Sequence, residues 1–135
     1  CYGAPVIVFD LGTATTVGVV NEDKCFIGGM IIPGVKTSLS ALTTRASQLP
    51  TINIEKPKHI IGRNTIECMQ SGIIHGTAAM IDGIISDILP SFGNQPVKIV
   101  ATGGMSKQIM PHCKHEIAVE PHLQFKGIFH ATKEL

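Results

Sequence analysis

The stretch "FDLGTATTVGVV" (Phe9–Val20) joins two apolar runs through one carboxylate, one glycine and three threonines. Short β-branched runs on both sides of a glycine predict a strand, a tight turn and a second strand. Gly12 would let a phosphate approach the backbone closely, and the threonine hydroxyls could donate hydrogen bonds to it. Asp10 could hold a cation beside that phosphate. The residues fit a phosphate site and an ordinary hairpin rich in β-forming threonine equally well.

The elements around this stretch predict the fold class. The strands are expected at Pro5–Gly12, Thr15–Asn21, Cys25–Ile32, Val97–Gly104 and His115–Glu120. The helices are expected at Val35–Pro50, Arg63–Leu89, Ser106–Pro111 and Leu123–Glu134. The order is three strands, two helices, strand, helix, strand, helix. It indicates an α/β domain whose central mixed sheet begins with a three-strand meander and carries helices on both faces.

Composition limits the classes of function. The 135 residues are 44% hydrophobic and 16% charged, with a net charge of +1, which predicts one compact domain over residues 1–135. Because there is no basic stripe interleaved with aromatics, we expect no nucleic-acid partner. No apolar run reaches membrane-spanning length and no basic-then-apolar start suggests secretion, so we expect no membrane partner. Scattered cysteines without a CxxC pair favour a reducing cytosol, which predicts a cytoplasmic protein.

The chain starts without Met, one short turn before a strand, so we expect it to be cut from a longer protein.

A second glycine cluster, "VATGG" (Val100–Gly104), follows a predicted strand and precedes a helix. Paired glycines there would let a flat ligand such as a purine lie against the backbone. A simple strand–helix turn also explains them. Two glycine-interrupted strand ends in one small α/β domain nevertheless favour a nucleotide site more than either does alone.

Four segments in order, "DLGTATT", "GGMIIPG" (Gly28–Gly34), "IGRNTIECMQSGIIHG" (Ile61–Gly76) and "ATGG", resemble type III pantothenate kinase. The resemblance runs through essentially the whole chain. It implies a ribonuclease-H-like domain of the actin-like ATPase superfamily, corresponding to the C-terminal domain of a two-domain enzyme. The implied activity is ATP-dependent phosphorylation of pantothenate to 4′-phosphopantothenate, the first step of coenzyme A biosynthesis.

The resemblance also implies site residues and partners. Asp10 would bind a monovalent cation, K⁺ or NH₄⁺, near the phosphates, and Thr65 would contact pantothenate. Mg²⁺ would accompany ATP, and the enzyme would be a homodimer. The residues expected at ATP and its phosphates are Gly12, Thr13, Ala14, Thr15, Gly103 and Gly104.

Only the second half of such an enzyme is covered. The family's first half carries a D-x-G-N-T phosphate loop and a G-x-D-R segment whose Asp is the expected base, and neither string occurs in the 135 residues. We therefore expect no catalytic base in this chain and no activity of the chain alone. Gly18 stands where the family commonly has an acidic residue, so any role of that acid is in doubt.

The long predicted helix carries a stripe of small residues at Gly72, Gly76, Ala79 and Gly83. Each glycine inside a helix costs about 1 kcal/mol relative to alanine, so close packing should offset it. The packing could be against a second subunit, against the rest of the domain, or the helix could break near Gly72. Its apolar residues recur at threes and fours: Ile66, Met69, Ile73, Met80, Ile84 and Ile88.

Other polar residues are interpreted as ordinary surface groups. His112, Cys113 and His115 match no zinc template well, because no partner pair is in view. Asp82 and Asp87 are five apart on a helix and are predicted to be solvated charges. Two other functions remain open: another small-molecule kinase of the actin-like superfamily, and a non-catalytic regulatory or binding protein on the same fold.

Overall fold

The computed structural model describes residues 2–133, within which five strands form one sheet. The strands are β1 (Val6–Leu11), β2 (Ala14–Val20), β3 (Phe26–Pro33), β4 (Lys98–Thr102) and β5 (Ala118–Val119). Their order across the sheet is β3-β2-β1-β4-β5. β1, β2 and β3 pair antiparallel, whereas β4 runs parallel to both β1 and β5. The predicted mixed sheet, starting with a three-strand meander, is confirmed.

The helices are α1 (Val35–Arg45), α2 (Thr65–Ile88), α3 (Ser106–Ile109) and α4 (Leu123–Lys133), with 3₁₀ turns at Leu89–Phe92 and Met110–His112. Glu134, the predicted last residue of the final helix, lies outside the described residues. α2 begins where the Asn64 side chain accepts a 2.9 Å hydrogen bond from the Glu67 backbone N–H. The Glu67 carboxylate in turn accepts one from the N–H of Arg63. This reciprocal pair satisfies two backbone donors at the helix start and fixes its position.

The first helix begins at Val35, as predicted, but ends earlier than predicted. It stops at Arg45 rather than near Pro50, because Ala46 turns to an extended conformation and its N–H closes the last turn on Leu42. Gly34 is the N-cap, and no side chain caps the helix. The Thr37 hydroxyl donates a 3.1 Å hydrogen bond to the carbonyl of Thr13 instead of capping the helix. That bond ties the start of α1 to the turn between β1 and β2.

The core lies between one face of the sheet and α2. Residues alternate along β1, so that Ile7, Phe9 and Leu11 are buried and the residues between them are half-buried. The α2 side chains that are buried are Met69, Ser71, Ile74, Ala78, Ile81 and Ile85. Most residues predicted from the helical spacing also contact the core. Ile73, Met80, Ile84 and Ile88 are partly buried against it, whereas Ile66 is exposed.

By length and composition, the segment Thr65–Phe92 is also apolar enough to cross a membrane, with mean hydropathy 1.3 over its most apolar window. This differs from the expectation that no apolar run reaches spanning length. A single such helix is weak evidence, because the core helix of a water-soluble domain passes the same test. α2 packs its buried face on the sheet, which explains that part of its apolar character.

The small-residue stripe of α2 is exposed along its whole length. A β-carbon built at Gly72, Gly76 or Gly83 meets no atom within 4 Å. α2 is also continuous from Thr65 to Ile88, so it does not break near Gly72. Tight packing within the described domain therefore does not explain the stripe.

Candidate functional site

The two glycine-interrupted strand ends meet at one edge of the sheet. β1 and β4 are parallel neighbours in which Asp10 lies opposite Thr102, so their C-terminal ends lie together. Gly103 follows with φ +96°, and a β-carbon there would lie 2.5–2.6 Å from backbone atoms of Leu11. The N–H of Met105 bonds the Leu11 carbonyl at 3.3 Å. Only glycine combines that backbone conformation with so close an approach.

A cavity of about 350 Å³ opens beside these strand ends. It brings together three predicted site residues, Asp10, Gly103 and Gly104. The other residues that line it are Thr102, Ser106, Lys107, Pro121, Gln124 and Phe125. The buried Ser106 hydroxyl donates a 2.7 Å bond to the Gly103 carbonyl, which holds the glycine loop in place.

Sequence reasoning missed these other lining residues. Thr102, Ser106 and Lys107 flank the two glycines in "TGGMSK", so polar residues after a strand-end Gly-Gly were an available signal. Gln124 and Phe125 lie on α4, about twenty residues farther along, and no pattern linked them to Asp10. In the structure the Gln124 amide nitrogen lies 3.4 Å from an Asp10 carboxylate oxygen. α4 thus lies over the cavity, on the face of the sheet opposite α2.

The β1–β2 turn borders this cavity. Gly12 is exposed, and a β-carbon there would lie 3.4 Å from the Asp10 carboxylate. Thr13 and Ala14 are exposed beside it. A side chain at Gly34, the N-cap of α1, would collide with the Thr13 carbonyl, so helix and turn are in direct contact. The turn therefore presents accessible backbone next to one carboxylate, as the phosphate interpretation requires.

The turn residues border the cavity without lining it, and two further predicted site residues do not line it either. Thr15 lies opposite Leu11 on the core face, whereas Asp10 lies opposite Thr16 on the other face. Consecutive strand residues point to opposite faces, so the Thr15 hydroxyl is directed away from Asp10. Thr65 is the exposed first residue of α2, and Asn64 already caps that helix. Its hydroxyl is therefore not needed for capping.

The charges of the cavity suit a nucleotide–cation pair better than a bare metal. Asp10 is its carboxylate and Lys107 its cationic side chain. Within residues 2–133 no three His, Cys, Asp or Glu side chains cluster as a metal site. Mg²⁺ typically takes one or two carboxylates and completes its shell with phosphate oxygens and water. One carboxylate beside a phosphate-accessible turn fits a cation that arrives with nucleotide.

Glu120 fastens α4 beside the cavity. Its carboxylate accepts hydrogen bonds from the Lys126 ammonium, the Tyr2 hydroxyl and the His122 N–H. The hydrogen bond from Lys126, followed by that from His122, lowers the pKa of Glu120 to about 2. The Glu120 N–H bonds the Ala101 carbonyl at 2.8 Å, so this network is anchored to β4.

The His112–Cys113–His115 segment does not form a metal site among the described residues. His112 packs edge-on against His75, and His115 lies 3.0 Å from the Ser86 hydroxyl. Burial raises the pKa of Cys113 to about 12, so its thiol stays protonated.

The prediction that Asp82 is a solvated charge is wrong. Its carboxylate accepts 2.7 Å and 3.0 Å bonds from the N–H groups of Lys114 and His115. It therefore connects α2 to the segment before β5.

Solved structures share this fold. A protein of the Baf transcriptional-activator family from Campylobacter jejuni matches 98% of this chain at TM-score 0.66 and 21% identity. The ethanolamine utilization protein EutJ from Carboxydothermus hydrogenoformans matches 90% at TM-score 0.51 and 20% identity. The chain spans 58% and 44% of these two proteins, respectively. EutJ has the actin-like ATPase fold, so the predicted ribonuclease-H-like class is confirmed.

The family described as type III pantothenate kinase matches residues 1–87 in sequence. That segment contains Asp10, the β1–β2 turn that Gly34 contacts, and most of α2. It covers more than half of the chain. On this match, together with the shared fold, the chain belongs to the type III pantothenate kinase family.

Proposed function

We propose that this chain is the C-terminal half of an enzyme that transfers a phosphoryl group from ATP to pantothenate, giving 4′-phosphopantothenate for coenzyme A biosynthesis. Family membership supports a kinase that uses ATP. The observation that carries the proposal is the cavity where the Asp10 carboxylate meets the Gly103–Gly104 backbone. Its carboxylate end can hold the cation that accompanies the phosphates, and its flat glycine wall leaves room for adenosine.

The residues take separate roles in this proposal. The exposed backbone of Gly12, Thr13 and Ala14 binds phosphate oxygens, and Asp10 holds a monovalent cation beside them. Gly103 and Gly104 lie against adenosine. Mg²⁺ arriving with the nucleotide would supply neutralisation of the charge on the transferred group. Phosphoryl transfer relies on positioning and charge neutralisation, so a site of glycines, hydroxyls and one carboxylate suits it.

The rest of the enzyme belongs to the proposal too. The chain spans 58% of the Campylobacter protein, and the missing base and first phosphate loop are expected in a preceding half. We propose that Thr65 contacts pantothenate, that the enzyme is a cytoplasmic homodimer, and that the 135-residue chain alone does not phosphorylate pantothenate.

Asp10→Asn in the complete enzyme tests the proposal. It replaces the carboxylate with an amide of the same shape, so kcat should fall by roughly 10²-fold or more, because charge placed at the reacting group supplies several kcal/mol. The matched control is Asp23→Asn, in the exposed β2–β3 turn, which should leave kcat unchanged. Pantothenate-dependent ADP release is the measurement, with Tm as a check on folding.

Near-normal kcat in Asp10→Asn would refute the role of Asp10. Complete enzyme that binds ATP but releases no ADP with pantothenate would favour the non-catalytic alternative. ADP release with a different small alcohol alone would favour another kinase of the superfamily.

A further inference from the structure

A second, smaller cavity lies on the core face of the sheet, opposite the Asp10 cavity. It has a volume of about 200 Å³ and lies between the start of α1, the middle of α2 and the adjoining ends of β2 and β3. The lining residues are Thr15, Ile32, Pro33, Val35, Ser38, Gly72, Ile73, Gly76, Thr77 and Met80. None of the roles proposed above uses this cavity.

The Thr15 hydroxyl is the unusual feature of this cavity. Thr15 is 1% exposed, and its hydroxyl oxygen has no hydrogen-bond partner anywhere in residues 2–133. A buried polar group left unpaired is destabilising, and most such groups in proteins are paired. Because Thr15 lines the cavity, a molecule within the cavity could supply the missing partner.

Glycines keep the cavity open. Gly72 and Gly76 lie among the lining residues, and a β-carbon on either would meet no atom within 4 Å. Alanine would fit both positions and is a better helix former than glycine. The backbone conformation therefore does not require glycine at these two positions. Keeping a ligand-sized space open beside the helix does require it.

The lining defines the ligand class. No lining residue carries a charge, which favours a neutral ligand. The apolar walls come from Ile32, Ile73 and Met80, and hydroxyls are offered by Thr15, Ser38 and Thr77. A cavity of roughly 150 Å³ in another protein holds benzene, so this one accommodates a slightly larger molecule.

From these observations we infer that this cavity is a binding site for a small uncharged molecule with an apolar body and one hydrogen-bonding group directed at the Thr15 hydroxyl. The site is independent of the Asp10 cavity, since Thr15 and Asp10 lie on opposite faces of the sheet.

Cyclohexanol is a suitable probe, because it is an uncharged ring alcohol slightly larger than benzene. Titrated into the ¹⁵N-labelled chain, it should shift the amide signals of Gly72, Gly76 and Thr77 saturably. Cyclohexylamine has the same ring but a cationic head at neutral pH, and it should not shift them.

Thr15→Val should weaken cyclohexanol binding at least tenfold. Without ligand the same variant should raise Tm by roughly 2–6 °C, because it removes the unpaired hydroxyl and keeps the shape.

A second variant tests the cavity without touching Thr15. Gly72→Ala with Gly76→Ala adds two methyl groups among the lining residues and should weaken cyclohexanol binding at least fivefold. Gly83→Ala changes the same exposed stripe outside the cavity and should leave binding within twofold.

Three results would overturn the inference. One is the absence of saturable shifts with cyclohexanol. Another is a lower Tm for Thr15→Val, which would show that the hydroxyl already has a structural partner. The third is a saturable shift of the same amides by cyclohexylamine as large as that by cyclohexanol, which would show that the cavity does not select an uncharged ligand.

Discussion

Gly103 and Gly104 are adjacent in sequence, but the structure gives them different constraints. Gly103 adopts φ +96° and lies against the Leu11 backbone, whereas a β-carbon at Gly104 meets no atom within 4 Å. Both line the Asp10 cavity. The first glycine is therefore required by the fold, and the second leaves space that a ligand could use.

These different constraints predict opposite results for two alanine variants. Gly103→Ala forces a side chain into a left-handed conformation and against backbone, so the free energy of unfolding should fall by roughly 1–3 kcal/mol or more. Gly104→Ala should leave stability nearly unchanged and weaken ATP binding, because its methyl group occupies cavity space. Thermal denaturation and calorimetric ATP titration of both variants measure this. Equal stability of the two would contradict the assignment.

Thr65 and Asn64 form a second such pair. Asn64 caps α2, so Asn64→Ala should lower the free energy of unfolding by about 1 kcal/mol and leave KM for pantothenate close to normal. Thr65→Val keeps the shape but removes an exposed hydroxyl. In the complete enzyme it should leave Tm unchanged and raise KM for pantothenate about tenfold, as expected for one lost hydrogen bond to substrate. KM for ATP is the internal control. A normal pantothenate KM in Thr65→Val would exclude substrate contact.

Among the elements, the strands and the opening three-strand meander followed from the sequence, because short apolar runs joined by tight turns pair with their neighbours. Asp10, Gly103 and Gly104 were predicted from local signals, strand ends and glycines, and the structure brings all three to one cavity. The orientation of Thr15 was not predicted, because a one-residue shift in a strand reverses the face. The position of α4 over the cavity was also not predicted, since it depends on long-range contacts of Gln124 and Glu120.

α4 should detach from the cavity in acid. The pKa of Glu120 is about 2 in the fold, below the usual value of about 4.3 in an unfolded chain. A lowered carboxyl pKa contributes stability that is complete above about pH 4.3 and is lost as the pH falls towards 2. Amide signals of α4 followed by NMR should move towards their random-coil values in that interval.

Two variants control this prediction. Glu120→Gln cannot ionise, so the same signals should be perturbed at neutral pH and lack the acid transition. Glu116→Gln removes an exposed carboxylate nearby and should leave the transition unaltered. An unchanged transition in Glu120→Gln would assign it to another group.

For the whole molecule, two exposed surfaces besides α4 could contact another chain. One is edge strand β3, where the large apolar side chains of Phe26 and Ile31 are 71% and 85% exposed. The other is α2, whose exposed stripe of small residues would let a second helix approach closely. Exposed apolar surfaces of this kind commonly mark association sites. The described residues alone do not cover either surface.

The proposed homodimer should use the α2 stripe, because each exposed mid-helix glycine costs about 1 kcal/mol that close helix contact could offset. Gly83→Leu would then overpack the contact and cost roughly 1–3 kcal/mol of association, about five- to 150-fold in Kd. Sedimentation velocity over a range of concentrations is the measurement.

Ala131→Leu adds similar bulk to an exposed position on α4 and should leave Kd unchanged. Ile31→Lys separates the two surfaces: if it dissociates the dimer while Gly83→Leu does not, the interface is the β3 edge rather than the stripe.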